Sequence, residues 1–594
     1  MRFLHTSSQG RPRYILGAVL AIVLIAAIFI IISRLGGTNH TVPAATTPTP
    51  GDTGLTKGAT QGRLTRIGNI ILADLPTTGP ASTLPYSPGS AISTQGKQAA
   101  QHAATDRQAP RVTAGTGALS VTGPGAHPPG LIHNFNGLNA VQDLHLNGYD
   151  YDPPDQGLCA NASFVVEEVN LVFAIYHHDG SLAARPVSLN RFFGENLNEF
   201  TADTRCYFDP ISNLWISTLI AVDAPNFRHS HMDVAVRPGL DPTATWTIYR
   251  IDTTDPVGPA CPCFADNDRL GADQFGVYLT QNEFNISALA NRPPTFNGSH
   301  IYAISKSQLV ALKPAPYFVS YAGLTIGGMP ADALQPALTR TAAPAEFFLS
   351  SLYRGLSTSN HLGVWALTNQ QRLNTNGIPA LSSMLISSEV YGHPPLALQK
   401  GSNAPINTGD SRMQDVTYSN GVLWASLNSV VNVGGETVNR SGVAWFAIGP
   451  QVEHGQLTAA RMEDQGYIGV KSEYLLYGAL TVNGKGQGVV VMALAGPDYF
   501  PGAVYTTFST GGSQRNFSPL HLVAPGAGPA AIGTCLPQYG GACAWGDYSA
   551  TALVDGPQGS IWLATEYIPG GAATHYENWG TRILEITPAA KYTQ

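Results

Sequence analysis

Leu423-Trp-Ala-Ser-Leu427 belongs to a set of near copies of one strand core, apolar, aromatic, apolar, small. The others are Leu214-Trp-Ile-Ser-Thr218, Val277-Tyr-Leu-Thr-Gln281, Val364-Trp-Ala-Leu-Thr368 and Ile561-Trp-Leu-Ala-Thr565. Degenerate copies fit at Phe164-Val-Val-Glu-Glu168 and Val489-Val-Val-Met-Ala493, which brings the units to seven. Most are followed by a strand with alternating large residues, as in Trp246-Thr-Ile-Tyr249, His300-Ile-Tyr-Ala-Ile304, Val443-Ala-Trp-Phe-Ala-Ile448 and Arg582-Ile-Leu-Glu-Ile586. Several are preceded by an acidic residue and a short strand: Asp203 before Trp215, Asp266 before Tyr278, Asp415 before Trp424 and Asp547 before Trp562. Each unit therefore supplies three or four antiparallel strands, and self-similarity at this period is the mark of stacked sheets. The prediction is all-β, a seven-bladed β-propeller over residues 131–594, with six or eight blades also compatible with the spacing. A pair of β-sandwiches would alternate too, but would give no reason for the Trp to recur in one strand context.

Composition agrees with that class. Charged residues are 12% of the chain, while Gly 63 and Pro 43 are high, a balance that favours strands and turns over long helices. Net charge is −7, with Lys+Arg 32 scattered. No basic cluster stands ready to neutralise nucleic-acid phosphates.

Toward the N-terminus the texture changes twice. Ile15 to Ile32 carries no charge or amide, and at about 1.5 Å per helical residue it reaches roughly 27 Å, close to a bilayer core. Arg2, Arg11 and Arg13 precede it and only Arg34 closely follows, so the tail 1–14 is expected in the cytoplasm, 15–33 as a single-pass type II signal-anchor, and the remainder outside the cell. A cleaved secretory signal is the competing reading, although the apolar run is long for one and no clean cleavage site follows Arg34. Residues 34–130 are rich in Thr, Pro, Ala and Gly and read as a disordered stalk. Leu64 to Leu75 interrupts it with enough apolar residues to dock on the folded domain as a short strand or helix.

An oxidising exterior would pair the six cysteines. Cys535 and Cys543 flank a Pro/Gly-rich loop and are expected to bridge locally. Cys261 and Cys263 lie too close for an easy mutual bond, so Cys159 and Cys206 are the expected partners of one or both. Zinc at Cys261 and Cys263 would need a second ligand pair, and none sits at the right spacing.

An ordered set of segments resembles uncharacterised bacterial secreted or surface propellers related in shape to the sialidase-like superfamily. It comprises Asp203-Thr-Arg-Cys-Tyr-Phe-Asp209 with Trp215, Asp241-Pro-Thr-Ala-Thr-Trp246, Gly271-Ala-Asp273 with Val277-Tyr and Asn282-Glu-Phe, and Trp545-Gly-Asp-Tyr-Ser549 with Trp562 and Glu566-Tyr. The resemblance implies an extracellular propeller and carries no activity. Catalytic sialidases use an arginine cluster, a Tyr/Glu pair and an acid, and usually carry S-x-D-x-G-x-x-W boxes. No such box appears, and no sequence logic converges Arg205, Arg237, Arg354 and Arg582 on one pocket.

In a propeller the first strand of each blade lines the channel, so Asp203, Asp266, Asp415 and Asp547 are expected to approach one another at one mouth. There they would hold a hard cation such as calcium, which takes roughly six to eight oxygen ligands, or each would cap its own turn. Asp152-Pro-Pro-Asp155 reads as a Pro-stiffened turn, and Glu167-Glu168 puts one carboxylate on each face of an apolar strand. His177-His178 and His229-Ser-His231 have metal-like spacing without a third ligand and read as surface turns. Phosphate-loop, nucleophile-elbow and H-E-x-x-H patterns are absent. The functional expectation is a membrane-anchored, non-catalytic binding or cell-surface interaction module for envelope glycan or a surface protein, with no catalytic residue assigned. The alternative is an extracellular polysaccharide hydrolase or lyase using the channel carboxylates.

Overall fold

The computed structural model describes residues 58–76, 109–112, 119–122, 128 and 130–588, apart from 197–198, 224–228, 255–262, 286–294, 355–357, 512–516, 532, 534, 536–540, 555–558, 572 and 576. The apolar run Ile15 to Ile32 lies outside them, as does Cys261. Among the described residues no helix is long and apolar enough to cross a membrane.

Short strands joined by tight turns build antiparallel meanders whose inner strands, such as Leu214–Asp223 and Gln487–Ala495, are buried on both faces, while outer ones such as Leu182–Ser188 and Gln456–Ile468 are partly exposed. Gly157–Ala160, Phe164–Val169, Val172–His177 and Leu182–Ser188 form one. Glu199–Asp209, Leu214–Asp223, Ser230–Pro238 and Trp246–Asp252 form the next. Four of the recurrent cores quoted above lie in the second strand of their meander, Trp215 in Leu214–Asp223, Tyr278 in Gly276–Asn285, Trp424 in Val422–Val433 and Trp562 in Ser560–Tyr567, whereas Trp365 in Thr358–Thr368 lies in the third, after Gln335–Pro336 and Glu346–Ser351. The degenerate copies take the second place, in Phe164–Val169 and Gln487–Ala495. From these strands Trp215 packs with Phe173 and Phe192, Trp365 with Tyr278 and Val319, and Trp562 with Val165 and Tyr176, each time across to a neighbouring sheet.

The sheets follow one another as a propeller, and the first strand of each meander neighbours the first strand of the next. The expected division into seven separate blades is not what the hydrogen bonds give. Three four-stranded and two five-stranded sheets stand alone, whereas the meanders beginning at Cys263–Ala272 and Met413–Ser419 belong to one 11-stranded sheet. The reason is local. Leu338–Thr339 pairs in parallel with Ala272 on one side and with Thr417 and Tyr418 on the other, bridging the two first strands. The ring is shut by Leu131–Asn139, which pairs antiparallel with Gly580–Ile586 and completes the last sheet.

Part of the Thr/Pro-rich tract is not a free coil. Ala59–Arg63 pairs with Tyr317–Tyr321, and Thr65–Ile70 with Trp246–Asp252, so the interruption at Leu64 does dock. Further on, Arg111–Val112 pairs with Val422–Val433 and Val121–Thr122 with Leu520–Ala524. Each adds to a strand whose backbone groups would otherwise lack a partner on that side.

Cys535 and Cys543 are bonded. The expectation for Cys159 and Cys206 is overturned: they bond to each other, with Cα atoms 5.3 Å apart, because they lie on the adjoining first strands Gly157–Ala160 and Glu199–Asp209. Cys263 is disulfide-bonded as well. Both Glu167 and Glu168 are buried, and each ties its meander to a neighbour. Glu167 accepts from Leu138 N (2.9 Å), Tyr176 Oη (3.1 Å) and Thr581 Oγ1, and Glu168 accepts from Thr204 Oγ1. Burial pushes the two carboxyls up to about 7 and about 8, so near neutral pH Glu167 is poised between its two forms while Glu168 is mostly protonated. A Cβ at Gly137 would sit 2.5 Å from Glu167 Oε2, which explains the glycine on the closing strand.

Trp562 is fully buried at the seam between the last and first sheets. Trp562→Ala is expected to lower unfolding free energy by about 3–5 kcal/mol, as for other buried Trp truncations, measured as a shift in the chemical-denaturation midpoint.

Candidate functional site

Four of the channel-lining strands break register at one level. Asp203-Thr204 lie opposite Leu219, Asn267-Asp268 opposite Gln281, Gln414-Asp415 opposite Ser426, and Tyr477-Gly478 opposite Met492, so two residues face one in each case. These are β-bulges, which bend a strand and re-aim its side chains. Asp203 (φ 55°), Asn267 (φ 62°) and Tyr477 (φ 51°) occupy the same slot in the left-handed region. Asp and Asn tolerate that backbone better than other side chains. Gly478 follows Tyr477 because a Cβ there would meet Val443 at 2.6 Å.

Directly after their bulges, Arg205 and Arg269 point into the channel from adjacent meanders. Both lie over the ring of Tyr548, with Cζ 3.4 Å and 4.3 Å from its centroid. Tyr548 Oη donates to Asp203 Oδ1 (2.5 Å), and Asp203 Oδ2 accepts from Asn267 N (2.8 Å). Asn267 Oδ1 accepts from Arg269 Nη2 (2.8 Å) and Arg412 Nη1 (3.1 Å). Arg412 is forked on Asp410 through two bonds of 2.9 Å and lies 3.6 Å from Asp547 Oδ2. Asp547 N donates to Asp155 Oδ1 (2.7 Å), whose other oxygen accepts from Asn170 Nδ2 (2.9 Å). Asn170 Oδ1 in turn accepts from Asp203 N (3.1 Å), which closes the network.

Sequence reasoning treated Asp203, Asp266, Asp415 and Asp547 as equivalent, and the register separates them. Asp203 sits inside a bulge, Asp266 just before one, Asp415 at the second bulge position, and Asp547 in the segment before Ala550–Val554. Asp203, Asp266 and Asp547 act on one another electrostatically. Asp415 is set apart, with Arg205 and Arg269 as its charged neighbours. Among the described residues, the group of three acidic or histidine side chains with ligand atoms within 4.8 Å of one another is Glu195, Glu199 and His231, not these aspartates. Of the four arginines considered from sequence, only Arg205 reaches this network. Arg237 and Arg582 lie on third strands, and Arg354 bonds Asp332 beside it.

Asp155, Asn267, Asp268, Arg269, Arg412 and Tyr548 were missed as site residues. A signal for the arginines is present, since Asp203-Thr-Arg205, Asn267-Asp-Arg269 and Asp410-Ser-Arg412 share an Asp/Asn-x-Arg pattern around the start of a first strand. Asp155 was set aside as part of a Pro-stiffened turn, yet its side chain joins the network.

The site residues are buried, and their charges respond to it. Burial, then the negative charge of Asp203, raises Asp266 to about 7 against the opposing pull of Arg412. Burial also lifts Asp268 to about 7 and Asp415 to about 6, the latter opposed by Arg205 and Arg269. Asp155 is raised by burial and by its neighbours Asp547 and Asp203. Asp410 goes the other way: burial pushes it up, but Arg412 holds it below the usual carboxylate range. Burial and the nearby Arg205 lower Arg269 to about 10. Guanidinium donors thus face carboxyls that exchange protons near neutrality, an arrangement suited to holding an anion or moving a proton.

Beneath the network lies a cavity of about 40 Å³ lined by Gln156, Arg205, Gln335 and Asp415 among others, room for roughly two or three waters. Deeper, Leu158, Leu338 and Leu553 narrow the channel to a void of about 10 Å³. Any larger ligand must therefore engage from the mouth.

The sequence matches no protein-family model and no curated protein. Solved structures similar to it include a protein of unknown function from Dyadobacter fermentans, at 12% identity over 66% of this chain and 96% of that one with TM-score 0.27. A Trypanosoma rangeli sialidase in complex with sialic acid matches at 9% identity over 78% and 59%, TM-score 0.33. An ulvan lyase bound to a GlcA–Rha3S saccharide matches at 12% identity over 79% and 94%, TM-score 0.31. At scores this low the likeness says nothing about what this chain binds.

Because the folded pKa of Asp266, about 7, lies above its ordinary value of 3.8, the folded chain holds a proton that the unfolded chain releases. Stability from this group is therefore present below its unfolded pKa and lost as pH rises toward 7, by up to about 1.4 kcal/mol per pH unit. Asp266→Asn is expected to flatten the fall in unfolding free energy across that window, measured by denaturant titration at successive pH values.

Proposed function

We propose that the chain is a membrane-anchored, extracellular binding module whose channel mouth takes an anionic saccharide of the cell envelope. One observation carries this reading: Arg205 Nη2, Arg269 Nε and Asn267 Nδ2 are buried around the mouth and have no hydrogen-bond partner within the protein. Leaving a buried donor unsatisfied costs about 1–3 kcal/mol, and more for a charged group. Once the side chains covering these donors move aside, a ligand carboxylate or sulfate supplies the acceptors the chain does not, and planar guanidinium groups favour such anions. The apolar run Ile15 to Ile32 with its preceding arginines supports the anchor and the orientation. Five four- or five-stranded sheets stand as separate blades, and the reading of seven takes the two meanders of the 11-stranded sheet as two further ones. Calcium belongs to this reading as a counter-ion of Asp203, Asp266 and Asp547, to be judged by whether chelation weakens binding.

A hydrolase or lyase is favoured by a different observation, the Tyr548–Asp203 hydrogen bond next to Asp266, whose carboxyl titrates near 7. In that case the Asp266 carboxylate acts as base and the Tyr548 hydroxyl, kept protonated by burial, as acid at the bond to be cleaved.

The discriminating experiment presents the full-length protein in detergent micelles with neutral and anionic glycans. Anionic glycans are expected to bind selectively, and Arg269→Ala to weaken them by roughly 10–100-fold, the value of a charged hydrogen bond. Equal binding of neutral glycans, or unchanged affinity in Arg269→Ala, would sink the proposal. Turnover abolished by Asp266→Asn would replace the binding reading with the enzymatic one.

A further inference from the structure

His229-Ser-His231 splits in the fold. His229 is exposed, whereas His231 on Ser230–Pro238 turns inward and is only 7% exposed. There it meets two acids from another part of the chain: Glu195, from the turn after the helix Leu189–Phe193, and Glu199, at the start of Glu199–Asp209. One ligand atom from each of the three residues lies within 4.8 Å of the other two. Glu195 Oε2 is 3.1 Å from His231 Nε2, and the carboxyl groups of Glu195 and Glu199 hydrogen-bond to each other.

An outer pair frames this triad. Arg250 donates through Nε to Asp233 Oδ1 and through Nη2 to Asp233 Oδ2, both at 2.7 Å, and Nη2 also reaches Glu195 Oε1 at 2.7 Å. Asp233 Oδ1 lies 3.8 Å from His231 Nε2. Three carboxyl groups thus lie around one guanidinium and one imidazole ring. Two carboxyls in contact must share a proton or a cation. One nitrogen with two carboxylate oxygens is a donor set for a first-row divalent metal, whereas calcium and magnesium prefer oxygen alone. The cluster shares no residue with the channel mouth.

We infer that Glu195, Glu199 and His231 form a binding site for a first-row divalent cation such as Zn²⁺, with Asp233 and Arg250 positioning the ligands. Asp233 and Arg250 do so by fixing the Glu195 carboxylate from its far side, the role outer-shell partners play around metals. Gly194 and Asn196, on either side of Glu195, are exposed.

The test is calorimetric titration of ZnCl₂ into the untagged full-length chain after chelation, joined to X-ray absorption of the loaded protein. The expected result is one Zn²⁺ per chain, with one imidazole nitrogen at about 2.0–2.1 Å, oxygen for the rest and no sulfur. His231→Ala and Glu199→Gln are each expected to weaken binding by more than about 100-fold. No zinc uptake, sulfur in the coordination shell, or undiminished binding in either variant overturns the assignment. If His231→Ala does not fold, as judged by circular dichroism, Glu199→Gln and the absorption spectrum decide it.

Discussion

The pairing of Leu131–Asn139 with Gly580–Ile586 is the constraint on which the remaining architecture rests. Sheets with apolar faces stacked in an open row would leave the two end faces in water. Joining the first long strand to the last sheet removes both ends at once. The channel network depends on the same seam. Asp547 and Tyr548 come from just before the last sheet's first strand, yet their partners Asp155 and Asp203 belong to the beginning of the ring. Glu167 binds the seam from the first sheet through Leu138 and Thr581. A loss of closure would therefore part Asp547 and Tyr548 from Asp155 and Asp203.

Electrostatics inside the channel follow from burial more than from pairing. Arg412 and Asp410 satisfy each other with matched geometry, and Asp410 stays ionised. Asp155, Asp266 and Asp547 have no such exclusive partner and shift upward. A low-dielectric ring with more carboxyls than guanidinium groups can lower its charge by retaining protons, and those protons are what a ligand or reaction would exchange with. The bulged strands make this concentration of polar groups feasible, because they aim neighbouring residues at the channel while the remaining strand keeps its apolar packing.

Much of the fold could be read from the chain because its repeated signal is large and local. A Trp or Tyr flanked by aliphatics in an inner strand survives loop variation, as Trp215, Tyr278, Trp365, Trp424 and Trp562 do. The site was much less legible, for a specific reason. A bulge changes by one residue which side chain faces the channel, so Asp203 and Asp266, spaced alike before their aromatics, occupy different slots. Asp547 and Tyr548 are far in sequence from Asp155 and Asp203, which they meet, and nothing in either segment shows that the two come together. The Cys159–Cys206 bond escaped for the same reason: whether two first strands adjoin is set by the ring, not by spacing along the chain. His231 lacked a third ligand in sequence because Glu195 and Glu199 arrive from the preceding turn and strand.

Two short strands near the N-terminus give the ring a mechanical property. Ala59–Arg63 and Thr65–Ile70 lie on the outer edges of successive meanders, with Leu64 buried between them. Any tension arriving along the chain ahead of Gly58 meets these peripheral hydrogen bonds first. They can peel away as a sacrificial stitch, relaxing the pull by paying out slack, before force reaches the strand pair that keeps the ring shut.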